Sequence, residues 1–235
     1  MKASGENVVR INGSWRKAPQ ADAVRSFAND PDYASPFSVP CFTPGSLIAT
    51  RHGPRPVEEL RVGDVLLTRD NGFRPVLWVG HSKYNLSGST GGARLQPILI
   101  KANALGNGVP QSDLLVSPDH QMLLTRRFAP SPLATTEMLV PARHLLGQAG
   151  ILVAPQREVE FVHVLMERHE ILLADGAWTE SYRPDTTVVR SLPVQVREDL
   201  LSALSGRDPL RGPVFEPARE SCGADVLDHL KRSDK

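Results

Sequence analysis

Residues 40–50 read Pro40-Cys41-Phe42-Thr43-Pro44-Gly45-Ser46-Leu47-Ile48-Ala49-Thr50. They are followed by Arg51-His52-Gly53-Pro54-Arg55-Pro56 and then Val57-Glu58-Glu59-Leu60-Arg61-Val62-Gly63-Asp64-Val65. Short apolar runs alternate here with turn formers, and the pattern continues downstream. Runs fall at residues 47–50, 64–68, 75–79, 96–101, 114–117, 121–125, 151–154, 160–166 and 170–174. Between them stand Gly45, Gly53-Pro54, Asn71-Gly72, Asp119 and Asp175-Gly176. Many short strands at such spacing predict an all-β domain, and Asn71-Gly72 between two runs signals a hairpin.

Working outward, residues 1–38 are polar and interrupted by Pro19, Pro31 and Pro36. This stretch reads as a leader or linker with at most one short helix, at residues 21–28. Residues 83–94 contain Ser87-Gly88-Ser89-Thr90-Gly91-Gly92 and read as a flexible loop. Residues 142–146 allow one helical turn. Beyond the β region, Val196, Leu200, Leu201 and Leu204 recur at helical spacing over residues 192–204, with Gly206 as a stop. A second short helix fits residues 223–230. The expected organisation is a leader at 1–38, a β domain at 39–184 and a mostly helical extension at 185–235.

The chain has 235 residues, with 27 Lys and Arg against 26 Asp and Glu, a net charge of +1. That balance argues against a nucleic-acid partner, which normally requires a basic surplus. No apolar run approaches the ~18 residues of a membrane span. The amino terminus is polar without a hydrophobic signal core, so a cytoplasmic setting is expected, with a non-standard export route left open. Two cysteines, Cys41 and Cys222, form neither a disulfide framework nor a metal knuckle. No phosphate loop, dinucleotide fingerprint or HExxH helix occurs, so no cofactor and no metal are expected.

The residues that can carry chemistry are Cys41 and the histidines. Ser117-Pro118-Asp119-His120 lies between two apolar runs. A thiol becomes a useful nucleophile when a histidine activates it or serves its leaving group. The plain alternative is a buried core cysteine and a turn histidine. His52, His144 and His229 read as surface or turn residues, Asp64 as a turn former, Glu180 as a capping or surface residue and Cys222 as structural.

Taken together, Cys41-Phe42-Thr43-Pro44-Gly45, Val57-Glu58-Glu59-Leu60 and Gly63-Asp64 resemble the opening of Hint domains, the superfamily of Hedgehog autoprocessing domains and inteins. The likeness is strongest to bacterial Hint-domain proteins. Ser117-Pro118-Asp119-His120 resembles the family's Thr/Ser-x-x-His block, and residues 163–182 resemble its last blocks. The resemblance covers residues 39–184 and implies a horseshoe of short strands.

It also implies a chemistry: Cys41 attacks the Pro40 carbonyl to give a thioester, with His120 as general acid and Ser117 polarising the scissile amide. His163 falls where inteins often carry Asp or Cys, His169 where they carry His, and Ser181 near the second cysteine of Hedgehog domains. Thr179-Glu180-Ser181-Tyr182 stands where inteins end in His-Asn, which argues against splicing. The catalytic Asp of sterol transfer would fall near Gly80-His81, where none exists.

The implied substrate is the chain's own amino-terminal segment, and the acceptor is water or a small-molecule or protein nucleophile. Pro40 crowds its carbonyl and argues against fast cleavage. Two alternatives remain open: a non-catalytic Hint-fold module for binding or display, and a cysteine hydrolase acting in trans.

Overall fold

The computed structural model describes residues 8–11, 14–17, 40–87, 94–125, 137–204, 206–210 and 215–221. The possible helices at residues 21–28 and 223–230, together with Cys222 and His229, lie outside the described residues. Among the described residues, fourteen strands run in chain order: β1 Val8–Ile11, β2 Ser14–Lys17, β3 Leu47–Thr50, β4 Gly53–Pro56, β5 Val65–Thr68, β6 Gly72–Asn85 and β7 Ile98–Ile100. They continue as β8 Leu114–Val116, β9 Gln121–Thr125, β10 Glu137–Pro141, β11 Ile151–Val153, β12 Glu158–Met166, β13 Ile171–Ala174 and β14 Ala177–Glu180. Two helices follow, α1 Thr186–Ser191 and α2 Val194–Ala203. The fold is all-β with a small helical carboxy-terminal part.

Turn chemistry sets much of the order. Asp175 (φ 47°) and Gly176 (φ 77°) make the tight link between β13 and β14. Both positions have positive φ, as a type I′ hairpin turn demands. Asn71-Gly72 turns β5 into β6 as expected, with Thr68 paired to Gly72. The main sheet runs β10-β9-β14-β13-β3-β5-β6-β12, with β4 paired to β3 off that path. A second sheet has the order β11-β7-β8. Ile48, Leu66, Val76, Ile100, Leu114, Met122, Val140, Val162 and Leu172 form the centre of the apolar core.

Several expectations need correction. The segment read as a leader contains β1 and β2, paired antiparallel. Residues 83–85, assigned to the loop, belong to β6, which pairs with β12 as far as Asn85. Strands β4, β10 and β14 fall outside the apolar runs of the sequence named above. The helix expected within residues 192–204 is α2, Val194–Ala203; it starts only after Pro193, because Leu192 adopts the extended backbone (φ −68°, ψ 146°) that a following proline imposes. Helix α1 precedes that break, its amino end capped by the Asp185 carboxylate, which accepts from Val188 N at 2.9 Å.

Candidate functional site

Phe42 seats the cysteine. It bridges antiparallel to Val116 at the end of β8 and to Val162 in β12. Its backbone exchanges two hydrogen bonds with Val162, at 3.0 and 2.9 Å. That register places Cys41 between the residues following those partners, Ser117 and His163. Cys41 N donates to Ser117 Oγ at 3.0 Å, and Ser117 N donates to Cys41 O at 3.0 Å. Serine thus grips the cysteine's backbone on both sides. Cys41 Sγ lies 3.2 Å from His163 Nδ1, and His163 Nε2 lies 2.9 Å from Ser82 Oγ on β6.

Burial decides the protonation of this pair. Cys41 is 1% exposed. Burial pushes its thiol well above the ordinary range, against a smaller lowering from the Ser117 hydroxyl. Burial likewise lowers His163 to about 3, with His81 adding to the effect. The resting state is therefore neutral thiol beside neutral imidazole. A thiol that donates to Nδ1 leaves the ring proton on Nε2, where it donates to Ser82 Oγ. The His163 ring is further held by Trp78, stacked at 6.1 Å and 15° between planes, and by Tyr182, edge-on at 5.3 Å.

The His120 ring meets the Phe42 phenyl edge-on at 4.5 Å. The turn that carries it is closed by His120 N donating to Ser117 O at 3.1 Å. His120 Nε2 contacts Thr179 Oγ1 at 2.5 Å. The Thr179 hydroxyl proton is already given to Gln121 O, at 2.8 Å. Thr179 can then only accept, so Nε2 carries the ring proton and Nδ1 is a bare acceptor. Nδ1 is buried with no partner among the described residues, and burial lowers this imidazole to about 3.

His169 belongs to a second buried cluster. Its Nδ1 accepts from Ala218 N at 3.0 Å, so Nε2–H donates to Glu180 Oε2 at 3.1 Å. Glu180 also accepts from Gln121 N at 2.9 Å and Gln121 Nε2 at 3.0 Å. It is a buried organiser of the residue after His120, not a surface group. Ser181 Oγ accepts from Glu170 N at 2.9 Å, and Ser181 N donates to Glu170 O at 2.8 Å. Both hydrogen bonds tie the end of β14 to the start of β13. His81, near the position where sterol transfer would need an Asp, lies 3.1 Å from the Glu160 carboxylate on an exposed face.

The structure thus brings together Cys41, Ser117 and His163, packs His120 against Phe42, and bonds His169 to Glu180 and Ser181 to Glu170. His163 lies in hydrogen-bond contact with the thiol, whereas the sequence directed attention to His120. Ser82, Thr179, Trp78 and Tyr182 escaped sequence reasoning. Ser82 and Thr179 sit in ordinary alternating strands and carry no local signature. Among the described residues, no cluster of three or more His, Cys, Asp or Glu is placed to hold a metal ion. No helix among them is long and apolar enough to cross a membrane.

Cys41 shares an apolar cluster with Trp78, Phe161 and Tyr182, and with Val188, Val189, Leu192, Leu200 and Leu204 from the helical part. The helices thus help to build the apolar cluster in which the thiol is buried.

Comparison with known proteins gives a match of the Hint domain family over residues 40–186. No curated protein matches the chain. Among solved structures, the gp41-1 intein is similar at 17% identity and TM-score 0.36, covering 59% of this chain and 96% of that one. The MchDnaB-1 intein is similar at 14% identity and TM-score 0.36, covering 59% and 98%. A bacterial intein-like domain from Clostridium thermocellum is similar at 12% identity and TM-score 0.35, covering 60% and 98%.

Proposed function

The chain belongs to the Hint domain family, and from that premise we propose that it cleaves itself at the Pro40–Cys41 bond. The observation that carries the reading is the thiol of Cys41 3.2 Å from His163 Nδ1, with the nitrogen of the same residue held on Ser117. Sγ attacks the Pro40 carbonyl carbon as its proton passes to His163. The Pro40–Cys41 C–N bond breaks, and one proton ends on the Cys41 nitrogen. The step is an isomerisation from amide to thioester and needs no co-reactant.

Ser117 keeps the scissile nitrogen oriented and polarised. His120, neutral at rest, cannot begin as an acid. Its bare Nδ1 suits it to receive the thiol's proton from His163 and pass it to the departing nitrogen, so that a single proton moves from sulfur to nitrogen overall. Water or an added nucleophile then resolves the thioester. Self-cleavage is favoured over splicing because residues 179–182 hold no Asn to cyclise. The substrate is the chain's own amino-terminal segment.

The test is to incubate the protein with dithiothreitol or hydroxylamine and follow its intact mass. Release of residues 1–40, leaving a fragment that begins at Cys41, is the expected result. Cys41→Ala should abolish it. His163→Ala should slow it roughly 10²–10⁴-fold, the usual value of a positioned base. Pro40→Gly should speed it by relieving the crowded carbonyl.

A second reading, a non-catalytic Hint module, is favoured by the burial of the thiol at 1% exposure. Wild type and Pro40→Gly that both stay folded and intact would decide for it.

A further inference from the structure

The tetrahedral intermediate needs a hydrogen-bond donor for the oxyanion that forms on the Pro40 carbonyl oxygen. Most donors around Cys41 are already committed. Cys41 N–H is given to Ser117 Oγ and Ser117 N–H to Cys41 O. The Thr43 hydroxyl donates to Leu115 O at 2.8 Å, and His163 Nε2–H is given to Ser82 Oγ.

Two buried side-chain atoms beside the site have no hydrogen-bond partner among the described residues: His120 Nδ1 and Tyr182 Oη. Their chemistry is complementary. The tautomer that Thr179 enforces makes His120 Nδ1 an acceptor, whereas a phenol at neutral pH carries a proton to donate.

Tyr182 is 1% exposed. It lies in the apolar cluster that contains Cys41, and its ring meets the edge of His163 at 5.3 Å. Its backbone is fixed by Tyr182 N donating to Val164 O at 2.8 Å, one residue beyond His163. The phenol is close enough to Cys41 for a thiolate there to raise its pKa, an effect second only to that of burial. It therefore stays protonated as the thiol reacts.

We propose that Tyr182 is a catalytic residue whose phenolic O–H stabilises the oxyanion on the Pro40 carbonyl during formation of the thioester. The inference rests on the self-cleavage reading. As Sγ bonds to the carbonyl carbon, the C=O π electrons move to oxygen and the unsatisfied O–H acquires its acceptor. When the C–N bond breaks, the carbonyl re-forms and the hydrogen bond weakens.

A buried hydroxyl without a partner is a liability for folding. Tyr182→Phe removes only that oxygen, so a residue kept for packing and a residue kept for catalysis give opposite patterns. The experiment measures hydroxylamine-induced release of residues 1–40 and the thermal midpoint, for Tyr182→Phe in both the wild-type and Pro40→Gly backgrounds.

The expected result is a midpoint equal to or above that of the parent, with cleavage slowed by roughly 10²-fold. An unchanged cleavage rate in a parent that does cleave would overturn the assignment and leave self-cleavage standing. A lowered midpoint would also overturn it, since the hydroxyl would then have a structural partner. Failure of both parents to cleave would remove the self-cleavage reading itself, and the oxyanion role with it.

Discussion

His120 and His163 are imidazoles that folding keeps neutral. Both are lowered to about 3, chiefly by burial, from an ordinary value near 6.5. The unfolded chain takes up protons on these rings as pH falls below about 6.5, while the folded chain does not until pH nears 3. Their contribution to stability is therefore complete above the unfolded value and is lost as pH falls between the two. Each histidine costs about 1.4 kcal/mol per pH unit within that window.

Urea midpoints measured from pH 6.5 to pH 5, where most carboxylates stay ionised, should fall steadily. His163→Gln should lose about half of the slope. A flat profile in the wild type would show that both rings are protonated in the fold, and a halved slope that one is. The same neutrality bears on catalysis. A neutral imidazole 3.2 Å from a thiol can accept its proton, whereas an imidazolium could not.

At the scale of elements, β6 and β12 form the wall that holds the site, and their pairing explains a glycine. His163 pairs with Gly80, and the Trp78 indole folds over that glycine. A Cβ at position 80 would meet Trp78 ring carbons at 2.0, 2.3 and 2.9 Å. Because Trp78 also stacks on His163, Gly80→Ala should displace the indole and cost about 1–3 kcal/mol, as overpacking does. Cleavage should slow along with it. Denaturation and the hydroxylamine assay on this variant check both effects, and a variant as stable and active as wild type would show that Trp78 has another seat.

The same wall shows what a sequence conceals. Strands β3 and β9 are legible because their apolar residues are conspicuous. The second half of β6 is not, because its inward residues are Gly80 and Ser82, with His81 and Lys83 facing out. Small and polar side chains turned toward a polar site remove the apolar signal. Strand β4 was hidden by Pro54 and Pro56, which stop most strands but suit one paired only on the β3 side. Cys41, Ser117 and His120 were legible as family blocks. The link from Cys41 to His163 was not, since it follows from Phe42 bridging β8 and β12, a contact across 120 residues of sequence between Phe42 and Val162.

Over the whole molecule, the helical part and the β-sheets share an apolar cluster that contains the thiol. Leu200 and Leu204 of the α2 region are fully buried in the cluster that contains Cys41. Leu200→Ala should destabilise by about 2–5 kcal/mol. It should also raise the rate at which a thiol reagent labels Cys41 in the folded protein. A stability loss without faster labelling would mean that the helices pack beside the thiol without closing it off.

In the proposed self-cleavage, the burial of the thiol and the crowded Pro40 carbonyl oppose reaction, while the proposed roles of His163, Ser117 and Tyr182 favour it. The balance is settled most directly by mass spectrometry of the peptide released in hydroxylamine. Thioester formation at Pro40 predicts residues 1–40 ending in a Pro40 hydroxamate, absent from Cys41→Ala. Wild-type and Pro40→Gly proteins that remain folded and whole, with no hydroxamate after long incubation, would contradict it.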